Sequence, residues 1–293
     1  AAKVDYPPAA YIDKDWTYDN LIQIAQKLTL DEAGRNATEA GFDPKATKQW
    51  GWDTWSGVKD LVPKWGGTPL AMSEDYKTAM VNSKEWIACG QWLADAVWKY
   101  YFRANAEQSS AAFSGASDPM GSGKVAMFQC QSWMAYAYKG WTDIFNWNLG
   151  CVPGGPAGVV TDNDADTFVM PKHGKHPDQA WEVAKWFASG DILPRLAQIW
   201  GCVPARKSSF AGWKKTMDEN WPGKNWQVML DGLEYMGVPN TEAWVPDSEK
   251  VVDITNKAMD TINTGKDTNV EKVFTDANAE VQAVIDEYWK THQ

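Results

Sequence analysis

The amino-acid sequence predicts an α/β fold organised in two lobes. The chain has 293 residues, a length that suits roughly two domains. Stretches with the apolar period of a helix alternate with short apolar stretches typical of strands. No apolar run approaches the length that crosses a membrane. We therefore expect helices packed on strands.

The first hundred residues predict two helices separated by an aromatic segment. One helix follows Thr17, a favourable N-cap, and a longer one begins near Ser83. Between them, GFDPKATKQWGWDTWSG reads as a strand followed by a loop, because glycine and proline break any helical period. The apolar face of the first helix consists of Leu21, Ile24, Ala25 and Leu28.

Strands and helices continue to alternate in the rest of the chain. We expect a buried strand at residues 124–129 and a short one at 149–152, before the turn-rich PGGPAG. Pro177 suits the first turn of a further helix. Its apolar face consists of Ala180, Trp181, Ala184 and Phe187. A last helix carries an apolar stripe at alternating spacings of four and three: Val270, Phe274, Ala277, Val281, Val284 and Tyr288.

Composition narrows the classes of partner. The sequence holds 28 Lys and Arg against 38 Asp and Glu, a formal charge of −10, and its basic residues are scattered. This argues against nucleic acid or an anionic membrane surface, which need a local excess of positive charge. The 19 tryptophans suggest that some indole rings serve a surface or cleft, while most pack in the interior.

Two segments resemble ligand-binding motifs but lack a residue that each motif requires. In GSGKVAMF, Val125 stands where a phosphate loop needs a serine or threonine. DNDAD resembles the first half of a calcium loop, but Thr167 replaces the sixth-position glycine. We read it as a solvated acidic turn, whose aspartates are Asp162, Asp164 and Asp166.

Cysteine and histidine usage predicts neither a metal site nor a cofactor. No CxxC or Cys/His spacing occurs, and three histidines give little material for a catalytic triad. The four cysteines could pair in three ways or stay buried as free thiols, and the sequence does not choose. They are Cys89, Cys130, Cys151 and Cys202.

Several segments, in a fixed order, resemble the extracellular solute-binding proteins (family 1) of bacterial sugar ABC transporters. The segments are WTYDNLIQIAQKLT, GFDP, GSGKVAMFQCQSW, KHGKHPDQAWEVAKWFAS, GCVPARKS and ANAEVQAVIDEYW, which together cover most of residues 16–290. The resemblance implies a two-lobed, periplasmic-binding-protein-like (type II) fold. It also implies a receptor that catalyses no reaction. Such a receptor captures a mono- or oligosaccharide outside the cytoplasm and delivers it to a membrane permease.

The resemblance also implies a division of the chain. Residues 1–155 would form the second lobe, residues 156–245 the remainder of the first lobe, and residues 246–293 helices that return to the second. Family members carry a further stretch, on the order of one domain, before the first matching segment. We therefore expect a first lobe that is incomplete, completed by a missing N-terminal segment or a companion chain. The resemblance implies a periplasmic or extracellular location, in which a removed or absent N-terminus could have anchored the protein to the membrane.

Sugars offer apolar C–H faces and hydroxyl rims, so their sites combine aromatic platforms with planar polar side chains. The resemblance implies that Trp133 lies against the sugar, with Gln131 beside it, and that the loop of Trp50 and Trp52 faces the ligand. The remaining predicted contacts are Asp53, which could accept from a sugar diol, Gly155 near the crossover, and Trp244.

Two alternatives remain open at this level. A glycoside hydrolase also combines tryptophans with carboxylates, but no motif isolates a catalytic pair. A binding protein of the same fold could carry a non-sugar ligand such as a polyamine, a peptide or a phosphate-bearing molecule. Net acidity disfavours an anionic cargo.

Overall fold

The structure, a computed structural model, describes residues 3–162, 164, 167–239 and 244–292. Eleven α-helices occur in these ranges: α1 (Tyr18–Leu28), α2 (Val58–Leu61), α3 (Lys84–Trp98), α4 (Ala106–Ala112), α5 (Ala135–Ile144), α6 (Pro177–Phe187), α7 (Leu193–Trp200), α8 (Phe210–Asn220), α9 (Gln227–Asp231), α10 (Ser248–Asn263) and α11 (Val270–Thr291). Four short strands accompany them in the same ranges: β1 (Leu30–Asp31), β2 (Thr47–Gln49), β3 (Asp53–Thr54) and β4 (Phe128–Gln129). None of the described helices combines the length and apolar character of a membrane span.

Local signals fix where the predicted helices begin. Thr17 Oγ1 accepts a hydrogen bond from the Asn20 N–H at the start of α1, and Ser83 Oγ accepts one from the Trp86 N–H at the start of α3. Pro177 lies in the first turn of α6, where a missing N–H breaks no helical hydrogen bond. These three helix starts confirm the sequence-based predictions.

The strands form two small pairs. β1 and β2 are antiparallel, whereas β3 and β4 are parallel, with Asp53 opposite Phe128 and Thr54 opposite Gln129. A bridge between Trp50 and Val125 extends the parallel pairing. The predicted strand at 124–129 therefore exists, but its regular part is shorter than expected and half-buried. Its position brings two distant segments of the chain side by side.

The C-terminal helix buries the stripe that its spacing predicts. Val270, Phe274, Ala277 and Val281 are buried, while Val284 and Tyr288 are partly buried, and α11 packs against α3 and α10. A Cβ on Gly90 of α3 would lie 2.5 Å from Phe274 Cε2, so glycine at this position lets α3 and α11 approach closely.

Most tryptophans are structural. The largest apolar cluster joins α1, α3, α10 and α11, and a second one surrounds α5 and α8. The second cluster is rich in indoles, with Trp141, Trp147, Trp213 and Trp226 all buried. Packing is thus the main use of tryptophan in this chain, as predicted.

Two expectations differ from the structure. Residues 149–152 form no strand: the Cys151 N–H donates to the Pro8 carbonyl, and the Cys151 carbonyl accepts from an indole, Trp16 Nε1, at 2.9 Å. The apolar face predicted for α6 is only partly covered: Trp181 is about half exposed, whereas Ala180, Ala184 and Phe187 are partly buried. The cap and period of α6 are local, whereas burial of its face depends on a neighbouring element.

Candidate ligand-binding site

The carboxyl ends of the parallel strands β3 and β4 bring two tryptophans together on the surface. Trp55 follows β3 and Trp133 follows β4, and their rings stack with centroids 5.7 Å apart and planes inclined by 27°. Their exposed fractions are 38% and 39%. Ligands of α/β proteins bind beyond the carboxyl ends of parallel strands. We call this stacked pair of Trp55 and Trp133 the aromatic platform.

A series of ring contacts connects the platform to the interior. Trp55 meets Phe128 edge-on at 5.8 Å, and Phe128 meets Trp141 edge-on at 6.4 Å. Trp141 Nε1 donates to the buried carboxylate of Asp118 at 3.1 Å, and this carboxylate also accepts from the Gly121 N–H at 2.7 Å. The orientation of the platform is therefore set by packed aromatic rings and a satisfied buried carboxylate.

The same two stretches carry polar atoms suited to a hydroxyl-rich ligand. Ser56 Oγ and Gln131 Oε1 are buried and have no hydrogen-bond partner within the described part of the chain. Unsatisfied buried polar groups are uncommon and mark places where water, an ion or a ligand completes the bonding. Gln129, by contrast, is satisfied, because Tyr18 Oη donates to its Oε1 at 2.8 Å. Ser56 and Gln131 are thus the polar residues of greatest interest beside the platform.

The structure buries two of the tryptophans for which ligand contact was expected. Trp50 and Trp52 are each 2% exposed: Trp50 packs edge-on against Phe113 and Trp52 against Trp92. Trp50 forms the parallel bridge with Val125, Trp52 directly precedes β3, and interior neighbours cover both rings. Trp55, the third indole of this segment, lies just past the strand and is the exposed one. Its place at a strand end, followed by Ser-Gly, is the sequence signal that could have identified it.

Asp53 is occupied by an internal partner. Its Oδ1 accepts from Arg103 Nε at 2.9 Å and from the Thr54 N–H at 2.8 Å, and both side chains of the ion pair are largely buried. In this arrangement Asp53 anchors β3 to the chain that follows α3. The predicted contact between Asp53 and a sugar diol would require this ion pair to open.

Trp244 belongs to a different aromatic group from Trp133. Its half-exposed ring contacts Tyr76 edge-on at 5.2 Å and Tyr288 of α11 at 5.7 Å. Trp244 therefore forms a second aromatic surface at the end of the C-terminal helix. Its predicted role in ligand binding stays a prediction.

Gly155 lies in a tightly packed connection near a buried charge. A Cβ at Gly155 would lie 2.2 Å from the Lys64 carbonyl oxygen, so a side chain cannot fit without backbone movement. The Lys64 side chain is 1% exposed, and its Nζ lies 2.9 Å from Asp162 Oδ1 and donates to the Asp60 carbonyl at 3.1 Å. The glycine therefore serves close backbone packing, and Asp162 is an ion-pair partner.

The remaining aspartates of DNDAD form no cation site in the described residues. Asp164 is exposed, and Asp166 lies outside the described residues. Across the described ranges, no group of three or more His, Cys, Asp or Glu side chains is arranged to hold a metal ion.

Asp60, at the start of α2, titrates abnormally. Burial raises the pKa of its carboxyl above the ordinary 3.8, and the nearby Asp162 carboxylate adds to this, whereas the 2.6 Å hydrogen bond from the Gly57 N–H acts in the opposite direction. The ionised form is therefore disfavoured in the folded protein. The stability that this raised pKa provides is fully present below 3.8 and is lost as pH rises through the folded-state pKa.

We expect wild type to gain stability relative to Asp60→Asn as pH is lowered from neutral towards 3.8. The folded state of wild type takes up a proton in this window before the unfolded state does, whereas asparagine takes up none. Urea unfolding of both proteins at a series of pH values measures the difference. A difference that is independent of pH, or that has the opposite sign, would contradict the assignment.

The four cysteines are free thiols in this structure. Burial raises the pKa of Cys130 to about 12 and that of Cys151 to about 11. It also raises the pKa of the Cys89 thiol well above its usual range. Thiols with such high pKa values are weak nucleophiles at neutral pH. No catalytic role for these three thiols follows from their surroundings.

The sequence profile described as bacterial extracellular solute-binding protein matches residues 3–229. The chain belongs to this family. Members of this family bind solutes, and membership in the family implies a periplasmic or extracellular location. No curated protein matches the chain.

Solved members with the two-lobed fold superpose on nearly the whole chain. An ABC substrate-binding protein from Listeria monocytogenes in complex with cycloalternan has 19% identity and a TM-score of 0.70, covering 97% of this chain and 66% of its own. The sugar-binding protein MalE from Xanthomonas citri has 13% identity and a TM-score of 0.68, covering 97% and 67%. The GacH receptor of Streptomyces glaucescens, solved unliganded and with acarbose, has 15% identity and a TM-score of 0.69, covering 98% and 66%.

These superpositions establish the α/β, periplasmic-binding-protein-like fold that the sequence predicts. The chain spans about two thirds of the length of the three solved solute-binding proteins, since it covers 66%, 67% and 66% of them.

Proposed function

We propose that this solute-binding protein is a carbohydrate receptor. It captures a mono- or oligosaccharide outside the cytoplasm and delivers it to the permease of an ABC importer. The observation that carries the proposal is the aromatic platform, two stacked and partly exposed indoles at the carboxyl ends of parallel strands. Solved relatives with cycloalternan and acarbose bound support the same class of ligand.

The chemistry of the platform suits a sugar ring. An indole presents a broad apolar face with a negative quadrupole, which attracts the C–H face of a pyranose. Gln131 and Ser56 supply a planar amide and a hydroxyl on the two stretches that carry the platform. Binding energy then comes from stacking and from hydrogen bonds to hydroxyl groups.

Binding without hydrolysis is the second part of the proposal. Hydrolysis of a glycosidic bond needs two carboxyl groups that face each other across the bond. Two carboxylates near the platform already have internal partners: Asp53 bonds to Arg103, and Asp118 accepts from Trp141 Nε1 and the Gly121 N–H. Incubation with a labelled oligosaccharide should therefore return the sugar intact.

The partner and lobe assignments remain proposals. We propose that residues 1–155 and 246–293 form the second lobe and residues 156–245 part of the first. Two half-exposed tryptophans of α6, Trp181 and Trp186, support a further α/β segment or companion chain beside the first lobe. An anchor to the membrane surface would keep the receptor near its permease.

A thermal-shift panel tests the proposed function. A sugar that binds only the folded state at a hundred times its Kd adds about 2.7 kcal/mol to stability, so Tm must rise. We expect at least one of cycloalternan, acarbose and mannotriose to raise Tm. Spermidine and inorganic phosphate serve as non-sugar controls. Absence of a shift with every sugar, whether or not a control compound gives one, would contradict the proposal.

A further inference from the structure

The buried ammonium of Lys64 links the platform to a glycine-rich segment, residues 154–162. Lys64 lies in the 3₁₀ turn Val62–Trp65, directly after α2, and its side chain is 1% exposed. Its Nζ bonds to the Asp60 carbonyl within α2 and to Asp162 Oδ1 outside it. A buried ammonium with one carboxylate partner is costly to desolvate. The buried Lys64 ammonium therefore indicates a role other than stabilising the fold.

One arm of the platform, the stretch that carries Trp55, connects to Lys64 through consecutive hydrogen bonds. Trp55 is followed by Ser56 and Gly57, and the Gly57 N–H donates to Asp60 Oδ2 at 2.6 Å. The Asp60 carbonyl then accepts from Lys64 Nζ at 3.1 Å, and Lys64 pairs with Asp162 at 2.9 Å. The position of Trp55 is thus linked to that of Asp162 through α2.

The other arm, the stretch that carries Trp133, is linked to segment 154–162 through Tyr18. Tyr18 Oη donates to Gln129 Oε1 at 2.8 Å, at the end of the strand that leads to Trp133. The Tyr18 N–H donates to the Gly154 carbonyl at 2.9 Å. Burial raises the pKa of the Tyr18 phenol well above its usual range, the hydrogen bond to Gln129 acts in the opposite direction, and the Asp162 carboxylate adds to the rise.

Segment 154–162 is held closely at the point where the two arms meet. The Ala157 N–H donates to the Lys64 carbonyl at 2.9 Å, and Gly155 has no room for a Cβ beside that carbonyl. At its far end, the Thr161 N–H donates to the Tyr235 carbonyl at 2.9 Å. Both arms of the platform therefore meet on one segment, which is closely packed at Gly155 and exposed at residues 156–158.

We propose that Lys64 is a positioning residue that couples the aromatic platform to segment 154–162 through its ion pair with Asp162. Occupancy of the platform then restrains the segment, and loosening of the segment disorders the platform. The ligand half of this inference rests on the proposed function. The half that concerns the unliganded protein rests on the contacts alone.

Hydrogen exchange followed by mass spectrometry tests the coupling in two steps. The variants are Lys64→Met and the double variant Lys64→Met with Asp162→Asn, which leaves no unpaired buried charge if the single variant folds poorly. Lys99→Met is the matched control, because Lys99 forms an exposed ion pair with Asp95. Without ligand, we expect both Lys64 variants to exchange about ten-fold faster than wild type in segment 154–162, with no change in α11.

The second step adds the sugar that gives the largest thermal shift. In wild type we expect slower exchange at residues 50–57 and also in segment 154–162. In the double variant the slowing at 50–57 should remain while that in segment 154–162 is lost, a separation that a purely structural role of Lys64 would not produce. Unchanged exchange of segment 154–162 in both unliganded Lys64 variants, or its slowing by sugar in the double variant, would overturn the proposal. Failure of every sugar to bind wild type counts against the proposed function, and the unliganded comparison still decides the role of Lys64.

Discussion

Replacement of Trp133 by alanine is expected to weaken sugar binding by about 2 kcal/mol, roughly thirty-fold in Kd. The change removes one face of the stacked pair and exposes the ring of Trp55 on that side. Central tryptophans dominate the energetics of binding surfaces in this way. Isothermal titration with the sugar identified by thermal shift measures the effect, and the far-ultraviolet circular dichroism should stay nearly unchanged, because Trp133 is well exposed.

Trp181→Ala provides the matched control for this prediction. Trp181 is also a half-exposed tryptophan, but it lies on α6 and belongs to no part of the platform. Its replacement should leave Kd within about two-fold of wild type. Equal losses for both variants, or an unchanged Kd for Trp133→Ala, would mean that the ligand binds elsewhere.

Replacement of Arg103 by methionine is expected to destabilise the protein by about 3 kcal/mol or more. The substitution leaves Asp53 buried without its ion-pair partner, and the Arg103 Nε to Asp53 Oδ1 bond of 2.9 Å is lost. Breaking a largely buried pair costs much more than breaking an exposed one. Urea unfolding at neutral pH gives the free energy of unfolding for comparison with wild type.

Two further variants show whether the buried charge is the cause. Lys99→Met breaks the exposed pair with Asp95 and should cost less than about 1 kcal/mol. Adding Asp53→Asn to Arg103→Met removes the unpaired charge and should restore part of the lost stability. A double variant less stable than Arg103→Met would show that packing, and not the unpaired carboxylate, explains the loss.

The features predicted well from the sequence are those fixed by near neighbours in the chain. Thr17 and Ser83 cap helices because a side-chain oxygen reaches an N–H three residues ahead. The stripe of α11 follows from the period of its apolar residues. The order of the motifs likewise indicated the correct family and fold.

The features that were missed depend on contacts between distant segments. Three indoles within six positions have similar local surroundings, yet Trp50 and Trp52 are buried while Trp55 is exposed. Phe113 packs against Trp50, and Trp92 and Phe102 pack against Trp52, all from distant parts of the chain. The ion pair of Asp53 could not be predicted either, because its partner Arg103 lies far along the chain; ligand contact by Asp53 stays a prediction. The exposure of Trp181 on α6 has the same origin, since the period predicts an apolar face and gives no information about what covers it.

The most direct test of the central claim is fluorine NMR of protein labelled with 5-fluorotryptophan, titrated with the bound sugar. Single Trp→Phe substitutions assign the signals of Trp50, Trp52, Trp55 and Trp133. We predict that the Trp55 and Trp133 signals shift on saturation, while those of the buried Trp50 and Trp52 remain in place. Saturable sugar binding that leaves the Trp55 and Trp133 signals unmoved would contradict the assignment of the platform.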